Sequence, residues 1–344
     1  MSRAPGDARF PRQTIAARAR EAAVEFFCAP QSPAPLGLFR LLMAGVALFQ
    51  AILWFPDWHA FLGADGWVQW EISRALGQEW QLHLLHLAAI LKRVGVSDSQ
   101  TVTLFYWGYV TSLLALLIGW HTRIAAFLAW GFHYVIMNTV PVFVYGLDIF
   151  LQIALFYLML MPVAKAYSLD VWQGRVSSAP TWGVTLSRRV LQIHLCLVYV
   201  SAGFEKVQSP EWWTGNVMWR ALVQPDFRQY DFTWLARFPW LAMLSGWFTM
   251  LIESGYFIAM WVPRLRVVWM MGIFVLHLGI ALFMGLGLFG LIMILLSISA
   301  FGQEVWNDIR IMRKQGSLIA AHPVAASHGS LDRRQPAPDL VELE

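Results

Sequence analysis

Eight stretches of the chain are apolar over about the length that crosses a lipid bilayer, and this pattern limits the fold more than any other feature. A helix needs about 20 apolar residues to span the hydrocarbon core. The stretches are Leu36–Phe55, Thr101–Trp120, Ile124–Val144, Ile149–Val163, Val190–Val207, Trp240–Val262, Val267–Met284 and Leu286–Phe301. Because lipid offers no partner for backbone N–H and C=O groups, each is predicted to be helical. The sequence therefore predicts an all-α polytopic membrane bundle with about eight transmembrane helices and additional interfacial helices.

Composition excludes an ordinary soluble domain. Of the 344 residues, 58% are hydrophobic and 13% are charged, and the mean hydropathy is +0.53. A chain of this composition has more apolar side chains than one soluble core is able to bury. Two cysteines far apart in the chain, Cys28 and Cys196, provide neither a disulfide framework nor a thiolate metal site. The net charge of +4 is too small to indicate a nucleic-acid partner. The partner that the sequence does indicate is the lipid bilayer.

Basic residues indicate how the spans are oriented. If the spans alternate in direction, one side of the membrane receives the N-terminal segment, every second loop and the segment after the last span. That side holds Arg3, Arg9, Arg12, Arg18, Arg20, Arg123, Lys165, Arg175, Arg188, Arg189, Arg264, Arg266, Arg310, Arg313 and Lys314. By the positive-inside rule, both termini are predicted to be cytoplasmic.

Three segments are predicted along the chain. Residues 1–35 form a cytoplasmic N-terminal tail with a short amphipathic helix over Thr14–Phe27, and residues 36–303 form the transmembrane domain. Residues 304–344 form a cytoplasmic, largely disordered C-terminal tail. Two long outer loops, 56–100 and 208–238, are rich in Trp and are predicted to lie along the membrane surface, the second of them covering a cavity.

Polar residues inside the spans are the candidates for chemistry, because each is costly in lipid unless it is paired or hydrated. Gln192, Tyr199 and Lys206 recur every seven residues on the fifth span and therefore share one helical face. Glu253 lies in the sixth span and His277 in the seventh. A Lys, a Glu and a His on three consecutive spans predict a proton-handling pocket in which Lys206 is the candidate base and Tyr199, Glu253 and His277 tune it.

A purely structural role for each of these residues stays open. Lys206 lies near a span end, where a lysine extends its ammonium to the interface. Glu253 and Lys206 also suit a structural ion pair, and His277 suits a core histidine bonded to a carbonyl. His83 and His86 have helical spacing but no third ligand nearby, so no metal site is predicted.

The order of motifs resembles the membrane domain shared by vitamin K-dependent gamma-carboxylase and the bacterial HTTM (horizontally transferred transmembrane) proteins. The most specific segment is Val198-Tyr-Val-Ser-Ala-Gly-Phe-Glu-Lys206 followed by Trp212-Trp-Thr-Gly215. The resemblance places Lys206 on the carboxylase's catalytic lysine and implies that Trp212 and Gly215 lie at a cofactor site. Gln192 is added to the candidate cofactor residues because it shares the helical face of Lys206. The resemblance also implies a quinone or vitamin K-like lipid as cofactor and the bacterial inner membrane as location. Lys165 stands where the carboxylase has a histidine, so protein carboxylation is not the expected reaction.

Two hypotheses of different classes follow. In the first, the protein is an enzyme that acts on a quinone-like or lipid group, with Lys206 as general base. In the second, it is a non-enzymatic maturation, immunity or partner protein of the membrane, and its buried polar residues only hold the bundle together. The sequence names neither a substrate nor a protein partner.

Overall fold

A computed structural model describes residues 15–78 and 80–321, and it describes side chains as far as residue 315. This part of the chain is helical, and a single isolated bridge, between Gln31 and Thr181, is its one β-type pairing. The α-helices are α1 Ile15–Cys28, α2 Ala34–Trp54, α3 Trp58–Leu62, α4 Trp70–Leu76, α5 Leu84–Lys92, α6 Asp98–Ile118, α7 Thr122–Thr139, α8 Gly146–Leu160, α9 Leu169–Trp172, α10 Trp182–Gln208, α11 Pro210–Trp213, α12 Asn216–Val223, α13 Pro239–Ala259, α14 Pro263–Phe283 and α15 Gly287–Ala321.

Six helical segments of the described chain are long and apolar enough to cross a membrane. They are Ala34–Leu62, Asp98–Ile118, Trp182–Gln208, Pro239–Ala259, Pro263–Phe283 and Gly287–Gln315. The prediction of an all-α polytopic bundle is therefore confirmed. Each of the two other predicted spans is also a helix, but α8 has 15 residues and α7, with 18, is not among the six. The count of eight spans stays a prediction.

The bundle is built from two groups of helices. In the first, α2, α6, α7 and α8 pack side by side, and in the second, α10, α13, α14 and α15 do so. Helix α15 also packs against α2 and α8 and joins the groups. The fifth, sixth and seventh predicted spans thus become neighbours in the second group, which is where the candidate site residues lie.

Close approach of α10 and α13 depends on Gly203. A Cβ added at Gly203 would lie 2.5 Å from the backbone nitrogen of Ser254, well inside van der Waals contact. Small residues allow membrane helices to approach in this way, so that polar side chains on facing surfaces come within bonding distance. The position of Gly203 in the turn before Lys206 brings α13 against the polar face of α10.

Arg40 is a structural residue of the first group. Its side chain is fully buried, and its guanidinium donates to the carbonyls of Leu116 at 2.6 Å, Leu117 at 2.5 Å and Tyr167 at 2.6 Å. These include carbonyls in the last turn of α6, which have no partner within the helix. Arg40 therefore ties the end of α6 to the loop that follows α8.

Asp170 organises the start of α7. Its carboxylate accepts hydrogen bonds from the Thr122 nitrogen at 2.8 Å, the Thr122 hydroxyl at 2.7 Å and the His121 nitrogen at 3.0 Å. Burial opposes ionisation of Asp170, but the hydrogen bonds from Thr122 and His121 outweigh it and hold its pKa below the ordinary 3.8. The charged carboxylate thus stabilises the turn between α6 and α7.

Further helices lie in the loops and in the N-terminal segment of the described chain. The loop 56–100 contains three short helices, α3, α4 and α5, and the loop 208–238 contains α11 and α12. Helix α1 begins at Ile15 within the predicted amphipathic segment. Helix α15 continues as far as Ala321, past the expected boundary at residue 303, and residues 322–344 of the predicted C-terminal tail lie outside the described residues.

Candidate functional site

Lys206 and Glu253 form an ion pair between α10 and α13. Nζ of Lys206 lies 2.7 Å from Oε2 of Glu253, and the two side chains are 21% and 10% exposed. Nζ also donates to the carbonyl of Ala202 at 3.3 Å, one turn earlier in α10. The ammonium therefore points to the helix interface, although a fifth of the side chain stays accessible from outside the protein.

The indole of Trp212 covers one side of the lysine. Nζ of Lys206 lies 5.2 Å from the centroid of the Trp212 ring, a distance that gives a cation–π attraction. Helix α11 is held in place by Trp213, whose indole N–H donates to the carbonyl of Val207 at 2.8 Å. Trp212 is thus fixed over the end of α10.

Gly215 allows the segment after Trp212 to lie directly on α13. Its φ of +78° is in the left-handed region, which favours glycine, and an added Cβ would lie 2.5 Å from the nitrogen of Met243. The Trp-x-x-Gly pattern is therefore explained locally: the indole covers Lys206 and the glycine permits the close turn onto α13.

Tyr199 and His277 form a second pair, between α10 and α14. The Tyr199 hydroxyl lies 2.9 Å from Nε2 of His277, and both side chains are buried. The Tyr199 ring stacks on Tyr256 of α13 at a centroid distance of 4.2 Å. Nδ1 of His277 is buried and has no hydrogen-bond partner among the described residues. One ring nitrogen of the histidine is therefore free to bind a polar group that enters this layer.

The two pairs form adjacent layers of one polar column. Seven residues of α-helix rise about 10 Å, so Tyr199 lies about two turns further into the bundle than Lys206. Four of the predicted site residues are therefore gathered at the α10–α13–α14 contact.

Gln192 is not part of this column. It lies 14 residues before Lys206, about 21 Å along the helix. Its amide nitrogen donates to the Ala300 carbonyl at 2.8 Å and to Glu304 at 3.0 Å, and its amide oxygen accepts from Arg189 at 2.7 Å. These bonds use the Gln192 amide in a network at the opposite end of α10, where Glu304 also pairs with Arg188.

Sequence reasoning missed two polar groups of the bundle. One is Tyr256, which stacks on Tyr199 and lies one helical turn after Glu253. The other is in the first group of helices, where Gln50 donates to the Asp148 carboxylate at 2.7 Å and His133 lies 3.2 Å from the Asp148 carbonyl. The signal for the second was present in the sequence, because Gln50 and His133 are polar residues in apolar stretches and Asp148 directly precedes one.

Metal chemistry is not indicated by the geometry of the described residues. Among them, no group of three or more His, Cys, Asp or Glu side chains is placed to hold a metal ion. The polar column combines a lysine, a carboxylate, an imidazole and a phenol. This set of groups is suited to moving a proton or to binding a hydroxyl group.

Comparison with known proteins identifies the family. No curated protein and no solved structure matches the chain. The family model described as HTTM domain matches residues 30–306, which include the first five candidate spans, most of the sixth and the whole polar column. The chain belongs to the HTTM domain family.

Proposed function

We propose that this protein is a membrane enzyme in which Lys206 acts as a general base on a weakly acidic hydroxyl group of a lipid-soluble substrate. The observation that supports this proposal most directly is the ion pair of Lys206 with Glu253 at 2.7 Å, in which the lysine side chain stays 21% exposed. A lysine held by a carboxylate, and still accessible, is positioned to exchange a proton with a bound molecule. The substrate class that fits best is a quinol-like lipid.

The proton step takes place within the pair. Transfer of a proton from Nζ of Lys206 to Oε2 of Glu253 leaves an amine and a carboxylic acid, both neutral. Surroundings of low polarity bring this neutral form closer in energy to the ion pair than it would be in water, because burial disfavours charged groups. The amine then takes the proton of the substrate hydroxyl, which yields a substrate oxyanion beside the Lys206 ammonium, while Glu253 remains protonated. No electron changes hands in this step.

The neighbouring residues supply binding and orientation. Nδ1 of His277 is buried and unpartnered among the described residues, so it is available to a polar group of the substrate. Trp212 presents an aromatic face 5.2 Å from Nζ, against which a flat ring is able to stack. Tyr199 orients His277 through its hydroxyl at 2.9 Å. These contacts support a quinone or vitamin K-like lipid as the bound group.

The second candidate is a non-enzymatic membrane protein that serves as a maturation, immunity or partner subunit. The observation that favours it is that Glu253 and Lys206 lie 2.7 Å apart, as the members of a structural ion pair do. Arg266 and Asp308 form another such pair at 2.7 Å in the same group of helices. On this reading, the polar column fixes the packing of α10, α13 and α14 and carries out no reaction.

Ionisation of a bound hydroquinone distinguishes the enzyme from the non-enzymatic membrane protein. The protein is placed in nanodiscs under anaerobic conditions with a reduced naphthoquinone that carries a short isoprenoid tail, and the hydroquinone anion is followed by ultraviolet difference spectroscopy. The enzyme proposal expects anion formation at neutral pH with the wild type and none with Lys206→Met. Lys92→Met is the matched control, since Lys92 pairs with Asp98 at the surface, where its side chain is 71% exposed.

Two results of that experiment favour the structural role. The first is binding of the hydroquinone without ionisation in the wild type, and the second is an equal anion yield in the wild type and Lys206→Met. Native mass spectrometry of each variant shows whether the hydroquinone is still bound. Loss of binding is thereby separated from loss of proton transfer.

We further propose that the protein resides in the bacterial inner membrane with both termini in the cytoplasm. The support is the positive-inside rule applied to the basic segments, together with the family's occurrence in bacteria. In this arrangement, residues 36–303 are the membrane domain, flanked by cytoplasmic tails over 1–35 and 304–344. Reporter fusions at each terminus test it, and an external location for either one contradicts it.

A further inference from the structure

A cavity of about 470 Å³ opens at the end of the bundle opposite Lys206. It lies between the start of α7, the end of α8 and the segment 161–176 that follows α8. Its floor is apolar and includes Leu158, Met161 and Val163, each of which is less than 10% exposed. An apolar hollow at the membrane boundary is poorly solvated by water and well matched to a hydrocarbon chain.

The rim of this cavity is cationic. Arg123, Lys165 and Arg175 line it, and Asp170 is the single acidic residue among the lining residues. The Asp170 carboxylate is already occupied by hydrogen bonds from the start of α7 and by Arg175 at 3.4 Å. The positive charge at the rim is therefore compensated only in part.

Two of the cations have no acidic partner. Nζ of Lys165 donates to the backbone carbonyl of Ser177 at 2.8 Å. No described acidic side chain lies within salt-bridge distance of Lys165 or Arg123. Both remain available to an anion, and a phosphate group between them would accept charge-assisted hydrogen bonds.

We propose that this cavity binds an anionic phospholipid, with the phosphate at Arg123 and Lys165 and an acyl chain on the apolar floor. Charge complementarity requires an anion, and the apolar floor favours a lipid over free phosphate, because a small soluble anion would leave the floor uncovered. Arg188, Arg189, Arg264 and Arg266 lie at the same end of the bundle. Basic pockets between transmembrane helices on the cytoplasmic side are suited to anionic headgroups.

Native mass spectrometry of the full-length protein in detergent tests the site. Phosphatidylglycerol is titrated against the wild type, Arg123→Gln and the double variant Arg123→Gln/Lys165→Gln, and the apparent dissociation constant is read from the lipid-bound fraction. Each charge removed is expected to weaken binding about fivefold, from about 1 kcal/mol per basic residue near an anionic surface. Arg264→Gln is the matched control, because Arg264 is exposed at the same end of the bundle but outside the cavity.

Three outcomes would overturn the proposal. In the first, the double variant weakens phosphatidylglycerol binding no more than Arg264→Gln does. In the second, phosphatidylcholine, which carries no net charge, binds as tightly as phosphatidylglycerol, and the cavity is then only an apolar groove. In the third, inorganic phosphate or glycerol phosphate displaces the lipid at millimolar concentration, and the site then binds a soluble phosphate. Thermal melts of each variant without lipid show that the protein is folded.

Discussion

Removing both partners of the Lys206–Glu253 pair should cost less than the sum of the two single removals, and the geometry sets the expected size of the difference. At 2.7 Å, two unit charges attract by about 6 kcal/mol at an effective dielectric constant of about 20. Desolvation of the two ions offsets most of this attraction. Loss of one member of a fully buried pair costs about 3–5 kcal/mol, whereas exposed pairs contribute about 0.2–1 kcal/mol. The Lys206 and Glu253 side chains are 21% and 10% exposed, so the free-energy cost of breaking this pair should lie between the values for exposed and fully buried pairs.

The two single variants are expected to differ. Lys206→Met leaves the more buried Glu253 carboxylate without its partner and should lower the free energy of unfolding by about 3 kcal/mol. Glu253→Gln should lower it by about 2 kcal/mol, because the free lysine is able to extend towards water. The double variant should lose about 3 kcal/mol, which gives a coupling energy of about 2 kcal/mol between the two side chains.

Unfolding in mixed micelles, followed by Trp fluorescence and circular dichroism, gives the four free energies of this cycle. A parallel cycle on Lys92 and Asp98 is the control. That pair is 3.8 Å apart with side chains 71% and 40% exposed, so its coupling should be below about 0.5 kcal/mol. Additivity of the Lys206 and Glu253 substitutions within about 0.5 kcal/mol would refute the argument, since it would mean that the two charges do not interact in the folded protein.

Gly203→Ala should lower the free energy of unfolding by about 1–3 kcal/mol, because the added methyl group would overlap the backbone of α13. Gly183→Ala is the control: it lies in the same helix with open space around it, and it should be neutral or slightly stabilising in the same unfolding measurements. Tyr199→Phe should cost about 1–3 kcal/mol in unfolding titrations, because it leaves His277 with neither ring nitrogen bonded, and an unchanged stability would show that the hydroxyl is not needed there. Asp170→Asn should have a lower melting temperature than wild type at neutral pH. The difference should vanish as the pH falls below 3.8, because the lowered pKa of Asp170 in the folded state means that its carboxylate stabilises the fold only while it is ionised. A difference in melting temperature that persists at low pH would contradict this.

The fold class was predictable because lipid restricts the chain so strongly. An apolar run of bilayer length permits little other than a helix, and every predicted span contains one. The polar face of α10 was also predictable, since Tyr199 and Lys206 are seven residues apart on one helix. The number of spans was harder to predict, because α7 and α8 do not reach the length and hydropathy of the six candidate spans and composition alone does not decide whether each crosses.

The partners of the polar residues were not predictable from one sequence. Periodicity gives the face of a helix but not which helix packs against it. The Lys206–Glu253 pair was therefore only one of several alternatives, and the contact of Tyr199 with His277 was not predicted. Periodicity also could not show that Gln192 lies outside the polar column. Seven-residue spacing puts Gln192 on the same face as Lys206, but its contacts depend on Glu304, which lies beyond the last apolar stretch.

The short distance within the Lys206–Glu253 pair has a consequence for how the membrane potential acts on the site. Moving one elementary charge across the whole bilayer changes the energy by about 2.3 kcal/mol per 100 mV. A proton that passes between two atoms 2.7 Å apart crosses at most about a tenth of the hydrocarbon thickness of about 30 Å. The potential therefore contributes at most about 0.2 kcal/mol per 100 mV to that transfer. Proton exchange within this pair should proceed almost equally well in energised and de-energised membranes.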